Sequence, residues 1–509
     1  MKSIREVVAG RRVRIAALSV LAVSCFSGIT SDARAETPDP GGAAAGPLAV
    51  SSVNPRYFSV KRGGRERPVY LAGTNLWNNV QDGAGFRGCD RPGPEFDWTA
   101  YLDFLKSRRL NFIRAWRWEH FKFRLPPDLD TAGPYCVSPQ PWPRTGAGKA
   151  YDGGPKFDLS TFDQAYFDRL RTRVVKARER GMYVSVMLFE GFCAHMCDTA
   201  TITAGHPFDG RNNVNGIDVD SIRDYQSDSV PRAVLALQRA YVGKVIDTVG
   251  DLDNVLYEVA NESWHGSVSW QYDVIRYVKR YEAARRFSAH PVGMSAIWPD
   301  GNDDWLFASP ADWIMPGFPA AGHYLHDPPA ATGAKVVVSD TDHYAPCAVD
   351  AVWAWKSFTR GLNSSQLDCG IGDPARPDPA FDFLEPARYA QGDAALQARR
   401  MDLLAMEPRG DLTSTRYALA SPGREYVILQ PEKSPHIDVA LAPGTYRVQW
   451  FDISTRKWRS ADKTTVRSPS TKTFAAPFKE PGPTVLHLSA CVAGQGDFLP
   501  WPGHVCWKM

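Results

Sequence analysis

An asparagine–glutamate pair, Asn261-Glu262, comes directly after an apolar run at residues 254–258 that is typical of a short buried strand. In parallel α/β folds, the carboxyl ends of the strands carry the side chains that do chemistry. A glutamate at such an end can give a proton to a leaving oxygen, and the amide beside it can hold a sugar hydroxyl. The alternative is structural, because Asn261 and Ser263 are both good caps for a following helix.

A second group of reactive side chains follows the apolar run at residues 335–339 and contains Asp340, Asp342 and His343. If the two runs are the fourth and seventh strands of a barrel, their ends face each other across its mouth. Glu262 would then meet an aspartate, and two opposed carboxyl groups are what the cleavage of a glycosidic bond requires. A Ca²⁺ loop or an ordinary Asp-rich turn is the alternative, although too few oxygen ligands cluster here for an EF-hand.

The elements that must position these groups alternate between strand-like and helix-like patterns. Continuous apolar runs separated by helical periodicity are typical of parallel strands that are covered on both faces. The predicted strands are residues 69–73, 111–114, 183–189, 254–258, 291–295, 312–315, 335–339 and 365–368. Eight such units predict an α/β fold, a (β/α)8 TIM barrel. A doubly wound open sheet is the alternative, but no G-x-G-x-x-G follows an early strand.

The remaining segments have their own signatures. Basic residues, an apolar stretch at residues 15–26 and the sequence Ala33-Arg34-Ala35 predict a signal peptide that is cut after Ala35, and therefore a secreted or periplasmic protein. No later run is long enough to span a bilayer. Short alternating strands after Arg409 predict a small antiparallel β-sandwich, which we interpret as a buttress rather than a carbohydrate-binding accessory. The predicted divisions are signal peptide 1–35, linker 36–54, barrel 55–408, sandwich 409–490 and Cys-bounded tail 491–509.

Charge and cysteine content narrow the class of protein. A net charge of +3 over 509 residues gives no electrostatic reason to expect a nucleic-acid partner. Nine cysteines, one of them in the signal, leave an even number, which fits export; neighbours along the chain suggest disulfides 89–136, 193–197, 347–369 and 491–506. A metal site within residues 193–197 is the competing interpretation, but it lacks a second ligand pair at zinc spacing. We therefore predict no metal and no cofactor.

Taken together, these motifs resemble the glycoside hydrolases of the large (β/α)8 clan that includes the family 5 cellulases and mannanases. The matching features are Asn111-Phe-Ile-Arg114 on strand two, Asn261-Glu262 after strand four and a carboxylate after strand seven. Over roughly residues 55–405, the chain is more narrowly similar to a branch of cellulase-like secreted proteins. The motifs that carry this similarity lie at residues 206–217, 253–262, 290–294, 339–343 and 355–361. The sandwich resembles C-terminal modules of such hydrolases that are sometimes described as collagen-binding, a description that we do not adopt.

The resemblance implies roles for several residues. Glu262 would be the general acid/base, Asn261 would hold the 2-hydroxyl of the substrate, and Arg114 would orient the nucleophile and keep it ionised. The clan has a glutamate nucleophile after strand seven, whereas this chain has Asp340, with Asp342 two residues later. A shorter side chain draws the carboxylate back and could favour inversion, since inverting enzymes hold their carboxyl groups further apart. We expect retention, with Asp340, Asp342 or Glu190 as the nucleophile.

Other polar and aromatic side chains at predicted strand ends are candidates for binding a sugar. Tryptophan faces stack on the C–H surfaces of sugars, and polar groups pair with hydroxyls. The candidates are Trp77, Trp116 and Trp298 for stacking and Asn75, His120, Glu190 and His343 for hydroxyls. The long segment 191–230 would shape the cleft. The expected substrate is a polysaccharide or oligosaccharide. A non-catalytic carbohydrate-binding barrel and a structural or adhesive surface protein are the alternatives.

Overall fold

The computed structural model describes residues 44, 46–77, 79–83, 89, 95–126, 133–197, 203–317, 323–371, 373–480 and 482–491. The predicted signal peptide, and Cys506 of the predicted 491–506 disulfide, lie outside these residues. Within the described part, no helix combines the length and the apolar character that crossing a membrane requires.

The centre of the molecule is a closed barrel of eight parallel strands. Every residue in these strands is buried, as expected for strands covered on both faces. The strands are β1 (Ala72–Leu76), β2 (Phe112–Ala115), β3 (Tyr183–Glu190), β4 (Val255–Asn261), β5 (Val292–Ser295), β6 (Trp313–Met315), β7 (Val336–Asp340) and β8 (Asn363–Leu367). β8 pairs with β1 in register Ser364↔Ala72, which closes the ring. The predicted TIM barrel is therefore confirmed, and the open-sheet alternative is wrong.

The helices alternate with the strands and cover the outside of the barrel. They are α1 (Trp98–Ser107), α2 (Gln164–Glu179), α3 (Phe192–Met196), α4 (Arg232–Val249), α5 (Val268–Arg285), α6 (Asp303–Ala308), α7 (His323–His326), α8 (Ala351–Thr359) and α9 (Glu385–Arg399). α1 begins after Asp97, whose carboxylate accepts the N–H of Ala100 at 2.9 Å and so satisfies one of the free donors of the first turn.

A three-stranded antiparallel sheet, formed by Ala49–Val50, Phe58–Arg62 and Arg65–Val69, packs against the amino-terminal end of the barrel. Gly63 and Gly64 form the two-residue turn of its hairpin, with φ of 57° and 76°. A turn with positive φ at both positions favours glycine. This hairpin explains why β1 begins three residues later than predicted: Val69 pairs with Phe58 instead.

The C-terminal part is a β-sandwich of one six-stranded and one two-stranded antiparallel sheet, which confirms that part of the predicted fold. Its strands are β9 (Glu407–Pro408), β10 (Ala418–Ser421), β11 (Glu425–Gln430), β12 (His436–Leu441), β13 (Gly444–Asp452), β14 (Lys457–Val466), β15 (Ser470–Ala475) and β16 (Thr484–Ala490). β14 and β15 carry no clear strand pattern in the sequence, because most of their residues are exposed and polar.

The sandwich packs directly on the barrel. The rings of Trp355 and Phe451 lie 5.6 Å apart, and both residues belong to the same buried apolar cluster as the barrel core. Arg456 Nε donates to Asp393 at 2.7 Å, which adds an ion pair across the junction. Such contacts favour the interpretation of the sandwich as a buttress.

Two small antiparallel hairpins lie between β2 and α2. They pair Lys122–Phe123 with Tyr135–Cys136 and Gly146–Lys149 with Pro155–Lys156. A further polar stretch, residues 203–230, is held in place largely by its own side chains. For example, Asn213 Nδ2 donates to the carbonyls of Pro207, Asp209 and Ile217 at 2.7–3.1 Å.

Candidate active site

Glu262 and the two aspartates meet at the carboxyl end of the barrel. Glu262 directly follows β4, and Asp340 is the last residue of β7. Asp342 and His343 lie in the single 3-10 turn Thr341–His343, which begins at Asp340. The amide N–H of Asp342 donates to Asp340 Oδ1 at 3.1 Å, so Asp340 caps the turn that carries Asp342.

Arg114, on β2, links the two strand ends. Its Nε lies 2.8 Å from Glu258 Oε2, and its Nη2 donates both to the other oxygen of Glu258 and, at 2.7 Å, to Asn261 Oδ1. Its Nη1 donates to Asp342 Oδ2 at 3.2 Å and reaches Asp340 Oδ2 at 3.5 Å. The guanidinium is fully buried, so these carboxylates are the charges that compensate it. One side chain therefore fixes the ends of β4 and β7 relative to each other.

The two aspartates have different surroundings. Asp340 is fully buried, and the amide of Asn75 donates to both of its oxygens at 2.9 Å. Asp342 keeps 6 % of its side chain exposed. Asp340 is thus held by protein donors on several sides, whereas Asp342 has an edge toward the mouth of the barrel.

Glu262 faces Asp342 and His343. His343 Nδ1 lies 3.1 Å from Glu262 Oε1, in hydrogen-bond contact. One oxygen of Glu262, one oxygen of Asp342 and one ring nitrogen of His343 all lie within 4.8 Å of one another. Because the Glu262 side chain is 10 % exposed, a small group could reach the space between the two carboxyl groups.

Burial sets the protonation of this cluster. It raises the pKa of Glu262 to about 8, against the opposing effect of Arg114 and with help from the charge of Asp340. The pKa of Asp342 is raised to about 6, first by burial and then by the charge of Glu262. Burial raises the pKa of Asp340 to about 6 and lowers the pKa of His343, which favours the neutral imidazole. Near pH 7, these shifts favour a protonated Glu262 and ionised aspartates.

Tryptophans form one wall of the site. Trp116 is buried, with the Arg114 guanidinium 4.8 Å from its ring, so it lies behind the surface. Trp77 and Trp298 are half-buried and pack against the same aromatic cluster. Trp118 holds Trp77 in place, because its Nε1 donates to the Trp77 carbonyl at 2.6 Å. Of the three predicted stacking residues, Trp77 and Trp298 are the partly exposed ones.

Glu190 and His120 are fully buried, as are the predicted binding residues Asn75 and Arg114. Glu190 Oε2 accepts the N–H of Cys193 at 3.0 Å, and burial holds its pKa well above the ordinary value, reinforced by the charges of Glu119 and Glu262. The long segment after β3 reaches this region through Gln226, which accepts the Ser263 hydroxyl at 2.5 Å.

Among the residues that the structure describes, two groups of side chains have donor atoms close enough to consider a metal. One contains His120, Glu190 and Cys193, but the sulfur of Cys193 is in a disulfide with Cys197 and is not available as a thiolate. The same bond removes the metal-site interpretation of residues 193–197. The other group is Glu262, Asp342 and His343, in which the imidazole is already in contact with Glu262. The predicted disulfide pairs 89–136, 193–197 and 347–369 are confirmed.

Several residues of the site were not found from the sequence. Glu258 is the chief of them, because it forms the paired ion contact with Arg114. The sequence does carry a signal for Glu258. A glutamate inside an otherwise apolar strand needs a buried partner of opposite charge, and Arg114, at the end of the predicted strand 111–114, is such a partner. Gln226 and Trp118 had no comparable signal.

Comparison with known proteins places this geometry in a structural context. A family model described as a domain of unknown function, DUF6298, matches residues 120–298. A search of curated proteins finds no match. A glycoside hydrolase family 5 protein from Bacteroides vulgatus superposes with a TM-score of 0.55 at 12% identity, covering 87% of this chain and 93% of its own. A second structure, described as a glycoside hydrolase, has a TM-score of 0.53 at 12% identity and covers 87% and 97%. By its fold, this chain is thus a (β/α)8 barrel with an appended sandwich, similar over most of its length to these glycoside hydrolases.

Proposed function

We propose that the protein is a secreted glycoside hydrolase that cleaves O-glycosidic bonds in a polysaccharide or oligosaccharide with retention of configuration. Glu262 is the general acid/base and Asp342 is the nucleophile. The observation that carries this proposal is the pair of facing carboxyl groups, with oxygens within 4.8 Å of each other. Retaining glycosidases hold their carboxyl groups about 5–5.5 Å apart, whereas inverting ones need about 6.5–9.5 Å to admit a water.

Asp342 suits the nucleophile better than Asp340. A nucleophile must reach the anomeric carbon, and Asp342 has an exposed edge facing Glu262. Asp340 is fully buried and bonded through both oxygens to Asn75, so attack would require it to break these contacts. Asp340 instead holds the turn from which Asp342 projects.

The protonation states fit the two steps of a retaining reaction. Asp342, ionised above about pH 6, attacks the anomeric carbon while Glu262, protonated below about pH 8, gives its proton to the leaving oxygen. The glycosyl group is then bonded to Asp342. In the second step, Glu262 takes a proton from water, the water oxygen attacks the anomeric carbon, and Asp342 leaves as a carboxylate. Two inversions give net retention.

The neighbouring groups support these roles. The hydrogen bond from Arg114 holds Asp342 in place and favours its ionised form. Glu258 in turn holds the Arg114 guanidinium in position. Arg114 also binds the amide oxygen of Asn261, so the NH₂ group of that amide is the group that donates, to the Glu262 carboxyl and, in this proposal, to a sugar hydroxyl. Trp77 and Trp298 provide aromatic faces for the sugar ring, and His343 steadies the Glu262 carboxyl.

The test is turnover of a broad panel of plant and microbial glycans by the protein without residues 1–35. Asp342→Ala should abolish turnover, and azide should restore it by attacking in place of the carboxylate, giving a glycosyl azide of inverted configuration. Asp340→Ala is the matched control, which azide should not restore. NMR of the first-formed sugar anomer should show retention.

Other results would select other readings. Azide rescue of Asp340→Ala but not of Asp342→Ala would exchange the two roles. A product of inverted anomeric configuration would mean that Asp342 acts as a general base rather than as the nucleophile. Glycan binding without turnover would support a non-catalytic barrel, and turnover that survives Glu262→Gln would overturn the mechanism.

A further inference from the structure

We propose that His195 is a positioning residue for Glu262, and that the Cys193–Cys197 disulfide keeps His195 in place, so that acid/base catalysis depends on the oxidised turn. The inference rests on the proposed role of Glu262. It concerns a histidine and a disulfide that take no part in the chemical steps described above.

The backbone at Glu262 needs external support. Its φ is +41°, in the left-handed region that residues other than glycine seldom adopt. Three successive carbonyls around it each accept a hydrogen bond: that of Asn261 from Gly191 N–H at 2.8 Å, that of Glu262 from His195 Nε2 at 3.0 Å, and that of Ser263 from Trp298 N–H at 3.0 Å. The first and third donors are backbone groups. The donor to Glu262 itself is a side chain, and it can therefore be altered by substitution.

The histidine donates as a neutral ring. A carbonyl oxygen can only accept, so Nε2 must carry the proton. Burial lowers the pKa of His195, in keeping with an uncharged imidazole at this position. The contact is thus a hydrogen bond to the main chain of Glu262 rather than an ion pair with its carboxyl group.

The turn that carries His195 is short and cross-linked. α3 spans five residues, too few to be stable as an isolated helix, and the disulfide joins Cys193 to Cys197 on either side of His195. The start of the turn is anchored by Cys193 N–H to Glu190. Gly191 also packs so tightly on Ser263 that an added Cβ would lie 2.4 Å from the Ser263 Cα. The disulfide closes the other end and so limits where the His195 ring can move.

The first experiment compares His195→Ala with His195→Gln. The glutamine amide can replace Nε2–H as a donor to the carbonyl, whereas alanine cannot. We expect His195→Ala to lower kcat by about 10- to 100-fold, since small misplacements of a catalytic group have effects of this size, with KM changed less than about twofold. His195→Gln should recover most of the loss. A merely structural role would lower thermal stability in both variants without this difference in kcat.

The second experiment removes the cross-link. Cys193→Ser with Cys197→Ser should reproduce the kcat loss of His195→Ala, and adding His195→Ala should then cost little more, because the two changes act through one contact. Cys89→Ser with Cys136→Ser is the matched control and should keep the parent kcat. If the serine variant does not fold, mild reduction of the folded parent protein replaces it. Mass spectrometry then identifies which disulfide has opened, and opening of Cys193–Cys197 should give the same loss of kcat.

A readout without substrate separates this inference from the proposed function. The carboxyl ¹³C resonance of Glu262, assigned by its loss in Glu262→Gln, should shift in His195→Ala and return toward its parent position in His195→Gln. Both variants leave unchanged the other charged and titratable groups that act on Glu262, which are Arg114, Glu190, Asp340, Asp342 and His343. Absence of glycan turnover would end the proposed function but leave this test intact. An unchanged resonance and parent kcat in His195→Ala would overturn the inference.

Discussion

The carboxyl groups at the ends of β4 and β7 differ in how far burial raises their pKa, to about 8 for Glu262 and to about 6 for Asp342, although both groups are buried. At the end of β7, Asp342 accepts a hydrogen bond from the Arg114 guanidinium itself. In β4, Arg114 donates instead to Glu258 and Asn261, which precede Glu262 in the chain. The Glu262 carboxyl group itself is in contact with the imidazole of His343. Burial raises the pKa of all three carboxyl groups, that of Asp340 included, and the charge of Arg114 lowers the pKa of each of them; the hydrogen bond from Arg114 is an additional lowering contribution at Asp342.

The sharpest way to break this comparison is to remove one carboxyl group at a time. Glu262→Gln should lower kcat by about 10²- to 10⁴-fold on natural glycans, the range typical of a general acid. The loss should be much smaller on aryl glycosides with acidic leaving groups, which need little protonation. Asp342→Asn should lose activity on both substrates, because the missing nucleophile is needed whatever the leaving group. Steady-state kinetics on the two substrate types measures the difference, and equal sensitivity of the two variants would contradict the separate roles.

Removing the shared cation should affect the fold as well as the site. Arg114→Met leaves the buried carboxylates of Glu258 and Asp340 without a counter-charge, and breaking such a cluster costs about 3–5 kcal/mol. Urea denaturation at pH 7 should show this loss. Arg114→Lys keeps the positive charge but not the planar guanidinium with its several donors, so it should recover only part of the lost free energy of unfolding. A stability close to that of the parent for Arg114→Met would mean that water or local rearrangement compensates these charges.

The support of Asp340 predicts a smaller effect. Asn75→Ala removes the amide that donates to both Asp340 oxygens, and an unsatisfied buried acceptor costs about 1–3 kcal/mol. The same change should slow turnover, because Asp340 holds the turn that carries Asp342. Asn75→Asp is not a suitable control, since it adds a charge; Asn75→Ser, which can still donate, should fall between the parent and alanine.

The smallest expected effect is a displacement of the pH profile. For the parent protein, kcat/KM should rise as Asp342 loses its proton near pH 6 and fall as Glu262 loses its own near pH 8. The charge of Asp340 contributes to the raised pKa of Glu262, so Asp340→Asn should move the alkaline limb to lower pH. An alkaline limb that stays in place, or moves upward, would show that the charge of Asp340 does not act on Glu262.

Much of this site follows from strand ends that can be read in the sequence. Glu262 and Asp340 each stand at the end of a strongly apolar run and Arg114 at the end of another predicted strand, and the periodicity that predicts the barrel also predicts that these ends converge. The difference between Asp340 and Asp342 does not follow from such patterns. It depends on a single 3-10 turn that buries the first carboxylate against Asn75 and turns the second toward Glu262. Turns of this kind are determined by tertiary contacts rather than by local preference.

Elsewhere the limits of pattern reading have equally local causes. β14 pairs along its length with β13, but its residues are mostly exposed and carry no alternation of apolar and polar side chains. The sequence predicts the first barrel strand too early because the hairpin strand Arg65–Val69 and β1 form one nearly continuous run of strand-like residues, 65–76. In both cases the deciding contact is with a distant part of the chain.

The packing of the sandwich on the barrel also limits how this protein can be cut or recombined. Phe451 and Val485 of the sandwich lie in one apolar cluster with Trp355 and Leu403 of the barrel side. A chain truncated at residue 409 would leave that surface open to water, and exposed apolar patches of this kind promote aggregation. The C-terminal sandwich is therefore not an independent domain that could be exchanged without changes to the barrel. Exchange between related proteins would have to carry both parts together, or replace the side chains on both sides of the junction at once.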